Sequence, residues 1–483
     1  MENNETKLTK AELRAAKKAA KAERKFTKVE KSWIMYDWAN SIYATNIMAA
    51  IFPIYFAAVA TEQGNTIYGY AVSIANLVVA ILAPLLGAIG DFRGMKKKLF
   101  SLFLWVGVLF TAAMAFVGSW QLMLIGLIIS RIGFSGSCLF YDSFLTDVTS
   151  NERMDRVSAW GYAMGYIGGS TIPFVISIAV IVLAGLEPVA NAYTTYLPWL
   201  ASLIDIETFS YKFSILIVPV WWLLFSIPFL KNVHQTHYVD EKPAALAKAA
   251  FSNVGRTFID ICKDKKILLF IIAYFFYIDG VDTIISMATN YGSTLGLGSI
   301  GMILALLVTQ IVAVPFSILF GNLGKKKGGI KMISIAVVIY FIITIVGFLM
   351  GALLDFEDII GISHENALSI ANVLFWVLAT LVGTVQGGIQ ALSRSFFGQI
   401  IPAERSNEYY GFMDIFGKFS CVIGPALYAL VFGLTGKASF GILSIILLFL
   451  AGGVALLCGK KYFKEVSVDA PVASEDSEAQ SAE

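Results

Sequence analysis

The sequence predicts an all-α membrane protein whose twelve transmembrane helices form two pseudo-symmetric six-helix bundles, with both termini in the cytosol. Three observations carry this prediction: the composition, the apolar segments and the placement of basic residues. Of the 483 residues, 57% are hydrophobic and 14% are charged, and the mean hydropathy is +0.73. An ordinary soluble domain has about a quarter of its residues charged. The composition excludes a soluble enzyme, a nucleic-acid-binding protein, a secreted disulfide scaffold and a disordered chain.

Twelve apolar segments are long enough to cross a bilayer. Roughly 20 apolar residues span the hydrocarbon layer, and backbone groups in lipid must be hydrogen-bonded internally. The segments lack the alternation of β-barrel strands, so each is predicted to be a helix. The predicted spans lie near 33–60, 68–90, 99–118, 121–143, 157–184, 211–230, 267–291, 299–321, 332–354, 368–390, 409–434 and 438–459.

The basic residues fix the predicted orientation. Of the 36 lysines and arginines, 32 fall in the tails or in loops after even-numbered spans, and only Lys437 falls in an opposite loop. The other three, Arg131, Lys212 and Lys418, fall within spans. Because basic loops stay on the cytosolic side, both termini are predicted to be cytosolic, and the short loops suit a bacterial inner membrane.

The chain divides into five predicted regions. A basic tail (1–31) precedes the first bundle (32–230), a cytosolic linker (231–266) leads to the second bundle (267–460), and an acidic flexible tail (461–483) follows. The N-terminal tail has no apolar stretch of the kind a signal peptide needs. It is predicted to be solvated, with a basic helix on anionic lipid as the alternative.

The two bundles resemble each other internally. Matches occur in the same order in both halves, as expected for two parallel six-helix repeats. They include Asp37 with Asp279, Pro84 with Pro315, Ser143-Phe144 with Ser395-Phe396, and Pro173 with Pro425.

Several segments resemble known transporters. The loop GAIGDFRGMKK (87–97) resembles the loop signature of the major facilitator superfamily, and 131–136 in span 4 resembles the R-x-x-x-G run of the same superfamily. Within that superfamily, YDWANSIYAT (36–45) and GGIQALSRSFFGQIIP (387–402) resemble hallmarks of the vacuole-effluxer-like, autophagy-related family, which includes the bacterial unidentified major facilitators. The resemblance implies the major facilitator fold. Fungal members export amino acids from the vacuole, which implies an amino-acid-like substrate.

Polar residues in span 1 form a candidate substrate site. An ionisable side chain within the bilayer costs roughly 2.5–3.5 kcal/mol, so Asp37 requires a reason to be there. Asp37 and Asn40 are three residues apart and share one helix face. Tyr36 and Tyr43 add polar groups. The stripe is predicted to face a water-accessible cavity and bind substrate, with a helix-packing network as the alternative.

Asp279 and Asp282 in span 7 are predicted to couple transport to protons. Asp279 lies about 20 Å along the helix from Lys266, inside the hydrocarbon. Two carboxylates one turn apart in a low dielectric resist simultaneous ionisation, so one can load and release a proton. In the structural alternative, one aspartate caps a kink near Gly280 and the other pairs with a basic residue.

Arg131, Gln386 and Gln390 are further candidates for substrate binding. Arg131 lies near the middle of span 4, where it could bind a substrate carboxylate or act as counter-ion to an aspartate of span 1 or span 7. The two glutamines of span 10 could line the cavity or join helices by hydrogen bonds. Asp414 and Lys418 are four residues apart and are predicted to form a structural ion pair, with Lys418 as a secondary site candidate.

Charged residues at the cytosolic span ends are candidates for a gate. By resemblance to the superfamily, Asp91 and Arg93 form a gating latch between the two bundles. Asp142 and Arg394, at the ends of spans 4 and 10, are predicted to join them. The alternative is ordinary positive-inside charge, since exposed ion pairs contribute little individually.

The leading interpretation is a secondary transporter that moves a small polar metabolite, such as an amino acid or peptide, coupled to protons. A lipid or amphiphile translocase on the same fold is the alternative, and it predicts a more apolar cavity. The spans carry no metal-ligand cluster or Ser-His or Cys-His arrangement, so no enzyme, metal or cofactor is expected. The expected partners are the solute, protons and membrane lipid, without nucleic acid, and the expected state is a monomer.

Overall fold

The structure, a computed structural model, describes residues 25–240 and 246–463. Within these residues twelve helices are long and apolar enough to cross a membrane, so the prediction of twelve spans is confirmed. The spans, numbered 1 to 12 along the chain, are Lys28–Val59, Glu62–Gly90, Met95–Phe116, Trp120–Val148, Asn151–Ala184, Ile206–Asn232, Lys265–Thr294, Leu304–Lys327, Gly329–Asp355, His364–Ile400, Ala403–Thr435 and Ala438–Phe463.

Spans 1 and 5 are each interrupted by a π-helical segment. Such segments are rare and often mark functional sites. The two segments contact each other, and the one in span 5 also contacts span 8. The pieces are Lys28–Ile42, π-helix Tyr43–Ala49 and Ile51–Val59 in span 1, and Asn151–Gly165, π-helix Tyr166–Thr171 and Ile172–Ala184 in span 5.

Spans 1–6 and 7–12 form two halves, each around its own hydrophobic core. The loops after even-numbered spans lie together at one end of the molecule, which we call the basic end; the loops after odd-numbered spans lie at the opposite, far end. Spans 2 and 11 pack together across the halves, as does span 5 with spans 8 and 10. Close approach there requires glycine, since a Cβ at Gly87 would lie 2.4 Å from the carbonyl oxygen of Asn407.

The linker contains a helix that the sequence analysis did not predict, Leu246–Lys263. Ahead of this helix, the backbone N–H groups of Thr236 and His237 donate to Asp147 in the N-terminal half, at 2.7 and 2.8 Å. Within the helix, Asp260 pairs with Arg405 at the start of span 11, at 3.0 Å. The linker is therefore fastened to both halves. The predicted tails lie outside the described residues except for 25–31 and 461–463.

Span 10 extends further at its basic end than predicted. The helix ends at Ile400 rather than near 390. Three polar residues after 390, Arg394, Ser395 and Gln399, contact the N-terminal half, so the hydropathy falls although the helix continues. Arg394, which the sequence analysis placed at a cytosolic span end, therefore lies inside the span and is only 4% exposed.

Candidate functional site

A polar chamber of about 130 Å³ lies between the two halves. Spans 4 and 5 of the N-terminal half and spans 7, 10 and 11 of the C-terminal half provide its walls. Its lining includes three carboxylates and one guanidinium. The lining residues are Leu139, Asp142, Tyr162, Tyr274, Ile278, Asp282, Gln390, Arg394, Tyr410, Met413 and Asp414.

Arg394 of span 10 joins the two halves at this chamber. Its Nη1 donates to Asp142 Oδ1 at 2.9 Å, and its Nη2 donates to Asp37 Oδ2 at 3.2 Å. Its Nε donates to Ser158 Oγ at 2.9 Å, and Nη2 also donates to the Ser158 carbonyl at 3.0 Å. One buried cation of the C-terminal half thus holds two carboxylates of the N-terminal half. Removing either side would leave a buried charge unpaired, which is costly.

Aromatic groups and a glycine fix the geometry of this Arg394 junction. The guanidinium lies 4.7 Å from the centre of the Trp33 ring, and Tyr141 Oη donates to Asp37 Oδ2 at 2.7 Å. Gly161 of span 5 provides the space, because a Cβ there would lie 2.4 Å from Asp37 Oδ2. The sequence offered no distinctive signal for these residues, since aromatic residues and glycines are frequent in all the spans.

The four predicted residues of span 1 separate into two environments. Asp37 belongs to the Arg394 junction, and Asn40 Nδ2 lies 3.9 Å from the sulfur of Cys138 in span 4. Tyr36 and Tyr43 are fully buried in the N-terminal half. Tyr36 accepts a hydrogen bond from Trp222 at 3.3 Å, and Tyr43 is 2.8 Å from Ser130 Oγ. Both tyrosines sit in the aromatic core of that half rather than on the chamber lining.

Arg131 is not the counter-ion of Asp37, because Arg394 takes that position. Its Nε donates to Asn76 Oδ1 of span 2 at 3.1 Å, and among the described residues it does not line the chamber. Gln390 does line the chamber, whereas Gln386 hydrogen-bonds Tyr166 of span 5.

Asp279 and Asp282 face different surroundings. Asp282 lines the chamber. Asp279 is fully buried and accepts hydrogen bonds from the Gly424 N–H at 2.9 Å and from Thr283 Oγ1 at 3.3 Å. Its Oδ2 has no hydrogen-bond partner among the described residues. Asp279 therefore joins span 7 to span 11 just before Pro425, rather than facing the stripe of span 1.

Asp91 closes the basic end by binding the first turn of span 11. Its Oδ1 accepts from the backbone N–H of Asn407 at 2.9 Å and from Asn407 Nδ2 at 2.7 Å, and its Oδ2 accepts from the Glu408 N–H at 3.1 Å. A carboxylate is favourable at a helix N-terminus. Burial nevertheless outweighs these hydrogen bonds and raises the pKa of Asp91 to about 7.

Lys96 is a second contact of this seal, and the sequence analysis did not select it. It is fully buried, and its Nζ donates to Asp147 Oδ2 at 2.7 Å and to Ser406 Oγ of span 11 at 2.9 Å. Lys96 is part of the loop motif 87–97, but the sequence does not distinguish its buried lysine from the exposed basic residues around it. Arg93 contacts Asp240 at 3.7 Å with 70% of its side chain exposed. Of the two predicted latch residues, the structure brings only Asp91 to the other half.

Comparison with known proteins identifies the family. Residues 65–460 match the family described as vacuole effluxer Atg22 like. The chain belongs to this family. It is 44% identical over 441 residues to the uncharacterized MFS-type transporter YxiO of Bacillus subtilis, covering 90% of this chain and 95% of that protein. It is 26% identical over 282 residues to autophagy-related protein 22 of Coccidioides immitis, covering 54% of this chain and 45% of that protein.

Solved structures confirm the fold expected for this family. The proton:xylose symporter XylE superposes with a TM-score of 0.62 at 12% identity, covering 90% of this chain and 95% of that chain. A bacterial homologue of ferroportin in an outward-facing state gives 0.58 at 14% identity, covering 91% and 98%. With the 44% identity to an MFS-type transporter and the family match, the chain is a multi-pass integral membrane transporter of the major facilitator superfamily, and not an enzyme.

Proposed function

We propose that this transporter moves a small polar, amino-acid-like metabolite by alternating access, driven by protons. The observation that carries the proposal is the Arg394 junction, where one buried cation of the C-terminal half is shared by Asp37 and Asp142 of the N-terminal half. A contact of this kind can form only while the basic end is closed. The charged lining of the chamber supports a polar solute over an amphiphile as the cargo.

Carboxylates in and beside the chamber provide sites for a coupling proton. Protonation of Asp37 or Asp142 would remove a charge from the Arg394 junction and so weaken the closed state, because a ligand shifts a conformational equilibrium by its differential binding to the two states. Asp282 lies in the chamber, and Asp279 is enclosed in protein with one oxygen unpartnered among the described residues. A buried carboxylate is costly to keep charged without a cation nearby. We assign Asp279 and Asp282 to proton loading on this basis.

The orientation follows from the positive-inside rule, with the basic end on the cytosolic side. The closed contacts at that end then correspond to an outward-facing transporter in the bacterial cytoplasmic membrane. Solute enters the chamber from the far end. It leaves at the basic end once Arg394 has separated from Asp37 and Asp142.

Purified protein in proteoliposomes can test the coupling. A thermal-shift screen of amino acids, peptides, sugars and amphiphiles first identifies a solute that binds. Two activities are then measured with that solute: its accumulation under an imposed pH gradient, and its exchange across the membrane without a gradient. Asp279→Asn or Asp282→Asn should abolish accumulation and preserve exchange in at least one of the two, because the carrier can no longer change charge between half-cycles. Asp37→Asn should lower both activities together, since it disturbs the Arg394 junction.

The exposed carboxylate of Asp358 at the far end provides the matched control, because Asp358→Asn removes the same charge away from the chamber. It should behave as wild type in both assays. Wild-type accumulation by both span 7 variants would show that these aspartates are structural and would move the coupling site to Asp37 or Asp142.

A further inference from the structure

An apolar cavity of about 90 Å³ lies inside the C-terminal half, and nothing in the transport cycle described so far uses it. It is lined by side chains of spans 7, 8, 9, 10 and 12, most of them Ile, Leu, Met, Val or Ala. An apolar cavity of about 150 Å³ can hold benzene, so this one has room for a branched group of about four carbons.

Lining residues of the apolar cavity and of the polar chamber lie one helical turn apart on two helices. On span 7, Asp282 lines the chamber and Ile285 lines the cavity, and on span 10 Gln390 lines the chamber and Gln386 lines the cavity. Residues three or four apart lie on one face of a helix, with a rise of about 5.4 Å per turn. One ligand can therefore place a polar group in the chamber and an apolar group in the cavity.

The charges of the chamber favour a cationic polar group. With the groups that pair to its lining, the site holds four carboxylates and two cations: Asp37, Asp142, Asp282 and Asp414 against Arg394 and Lys418. Arg394 already donates to two carboxylates and to both oxygens of Ser158. An anionic ligand would add to the excess negative charge in a low dielectric, whereas a cationic ligand would reduce it.

Lys418, the other cation near the chamber, contacts both carboxylate oxygens of Asp414. Its charge offsets one carboxylate, and the four carboxylates still outnumber the two cations. The ring of Tyr162 is covered by the Arg394 guanidinium, 4.5 Å from its centre. Tyr274 is a second aromatic residue of the wall, and aromatic faces attract ammonium groups.

We infer that the chamber and the apolar cavity together bind an organic amine with a short branched apolar tail, and that the ammonium group, not a carboxylate, is the group recognised. The ammonium lies among Asp142, Asp282 and Asp414, and the tail occupies the cavity. The inference rests on the proposed function and narrows its substrate class. A carboxylate on the same ligand is dispensable.

Three matched probes test the inference on wild-type protein: 3-methylbutylamine, leucine and 4-methylpentanoate. They share an isobutyl group and carry only the ammonium, both charges, or only the carboxylate. In equilibrium binding by thermal shift and in competition for proteoliposome uptake, 3-methylbutylamine should bind at least as tightly as leucine, and 4-methylpentanoate at least tenfold more weakly. Equal or tighter binding of 4-methylpentanoate, or binding of leucine without binding of the amine, would overturn the inference.

Two variants separate the two parts of the site. Ala288 lines the apolar cavity, so Ala288→Leu should weaken 3-methylbutylamine at least tenfold and leave ethylamine unchanged. Gln390→Lys adds a cation to the chamber and should weaken the binding of every amine, whereas the neutral Gln390→Met should not.

Unchanged 3-methylbutylamine affinity in Ala288→Leu or Gln390→Lys contradicts the inference. Proton-driven uptake of another solute, with no response to any amine, overturns the inference alone; absence of uptake for every solute overturns the proposed function.

Discussion

Asp91 is the residue at which pH acts most directly on the closed seal. In the closed state the carboxyl is 3% exposed and its pKa is raised to about 7 by burial. Once the halves separate and water reaches it, its pKa returns towards the ordinary value of 3.8. The closed state therefore binds the proton more tightly, and its advantage is complete below about pH 4 and lost as the pH rises towards 7.

We therefore expect the contribution of Asp91 to the closed population to fall as the pH rises from 5 to 8. Protonation of Asp37 or Asp142 acts in the opposite direction, so this contribution is the difference between wild type and Asp91→Asn. The measurement is a double electron–electron resonance distance between nitroxides at Lys31 and Lys327, which are exposed at the basic end of opposite halves. With rising pH, the fraction of longer distances should increase more in wild type than in Asp91→Asn. In Asp91→Asn this part of the pH response should vanish, because the titrating group is gone.

Arg93→Ala provides the matched control for the same measurement. Arg93 is two residues from Asp91 but is exposed and contacts Asp240, so its removal should leave the pH response intact. A full pH response in Asp91→Asn would assign the titration to another group and contradict the reasoning above.

The partners of the buried charges could be predicted only in part from the sequence. Asp37 was correctly selected as a buried charge, because an aspartate in an apolar helix needs a partner. Its partner was not found, because an arginine near a span end looks like ordinary positive-inside charge. The internal repeat held an unused signal: Asp142 and Arg394 occupy equivalent positions at the same offset that matches Ser143 with Ser395. They pair with each other across the halves.

At the scale of elements, the seal is formed between the start of span 3 and the start of span 11. Lys96 of span 3 contacts Ser406 of span 11, and its charge is balanced by Asp147. Both charged side chains are completely buried. Breaking a buried pair by removing one partner typically costs about 3–5 kcal/mol, and this cost falls on the closed state, in which the pair is enclosed.

Lys96→Met is therefore expected to open the basic end. The same nitroxide pair should show longer distances at pH 7, and thermal unfolding should occur at a lower temperature. Lys98→Met is the control, because Lys98 lies in the same helix and is exposed. If both variants give the wild-type distances, Lys96 does not hold the two halves together.

Element boundaries were harder to predict than element number. Hydropathy located all twelve spans because each one contains a segment apolar enough to cross a membrane. It ended span 10 too early, since polar residues at its end contact the N-terminal half. It also could not detect the π-helical segments at 43–49 and 166–171, which depend on tertiary contacts. Trp38 and Ser41 pack so closely on Gly168 and Gly169 that a Cβ at either glycine would overlap them.

At the scale of the whole molecule, the contacts between the halves follow the pseudo-symmetry of the repeat. Ser143 of the N-terminal half hydrogen-bonds Asn407 of the C-terminal half, and Ser395 hydrogen-bonds Asp155 at 2.6 Å. The offset that relates Ser143 to Ser395 also relates Asp155 to Asn407. The repeat therefore relates the two hydrogen bonds to each other: in each one, the serine of one half contacts the equivalent position of the other half. The relation explains why both halves close at the same end, which the charge distribution predicts to be cytosolic.

This orientation can be tested with cysteines of the chain itself. Cys262 is an exposed free thiol in the linker helix at the basic end, and the positive-inside rule puts that end in the cytosol. In intact cells expressing a variant in which Cys138, Cys421 and Cys458 are replaced by serine, a membrane-impermeant maleimide should leave Cys262 unlabelled. Permeabilising the cells should allow the labelling, which shows that the thiol is reactive.

A Thr195→Cys substitution in the far-end helix Glu187–Tyr196, with Cys262 also replaced by serine, should label in intact cells, because Thr195 is exposed at the opposite end. Labelling of Cys262 without permeabilisation would invert the orientation, and the closed basic end would then face outward.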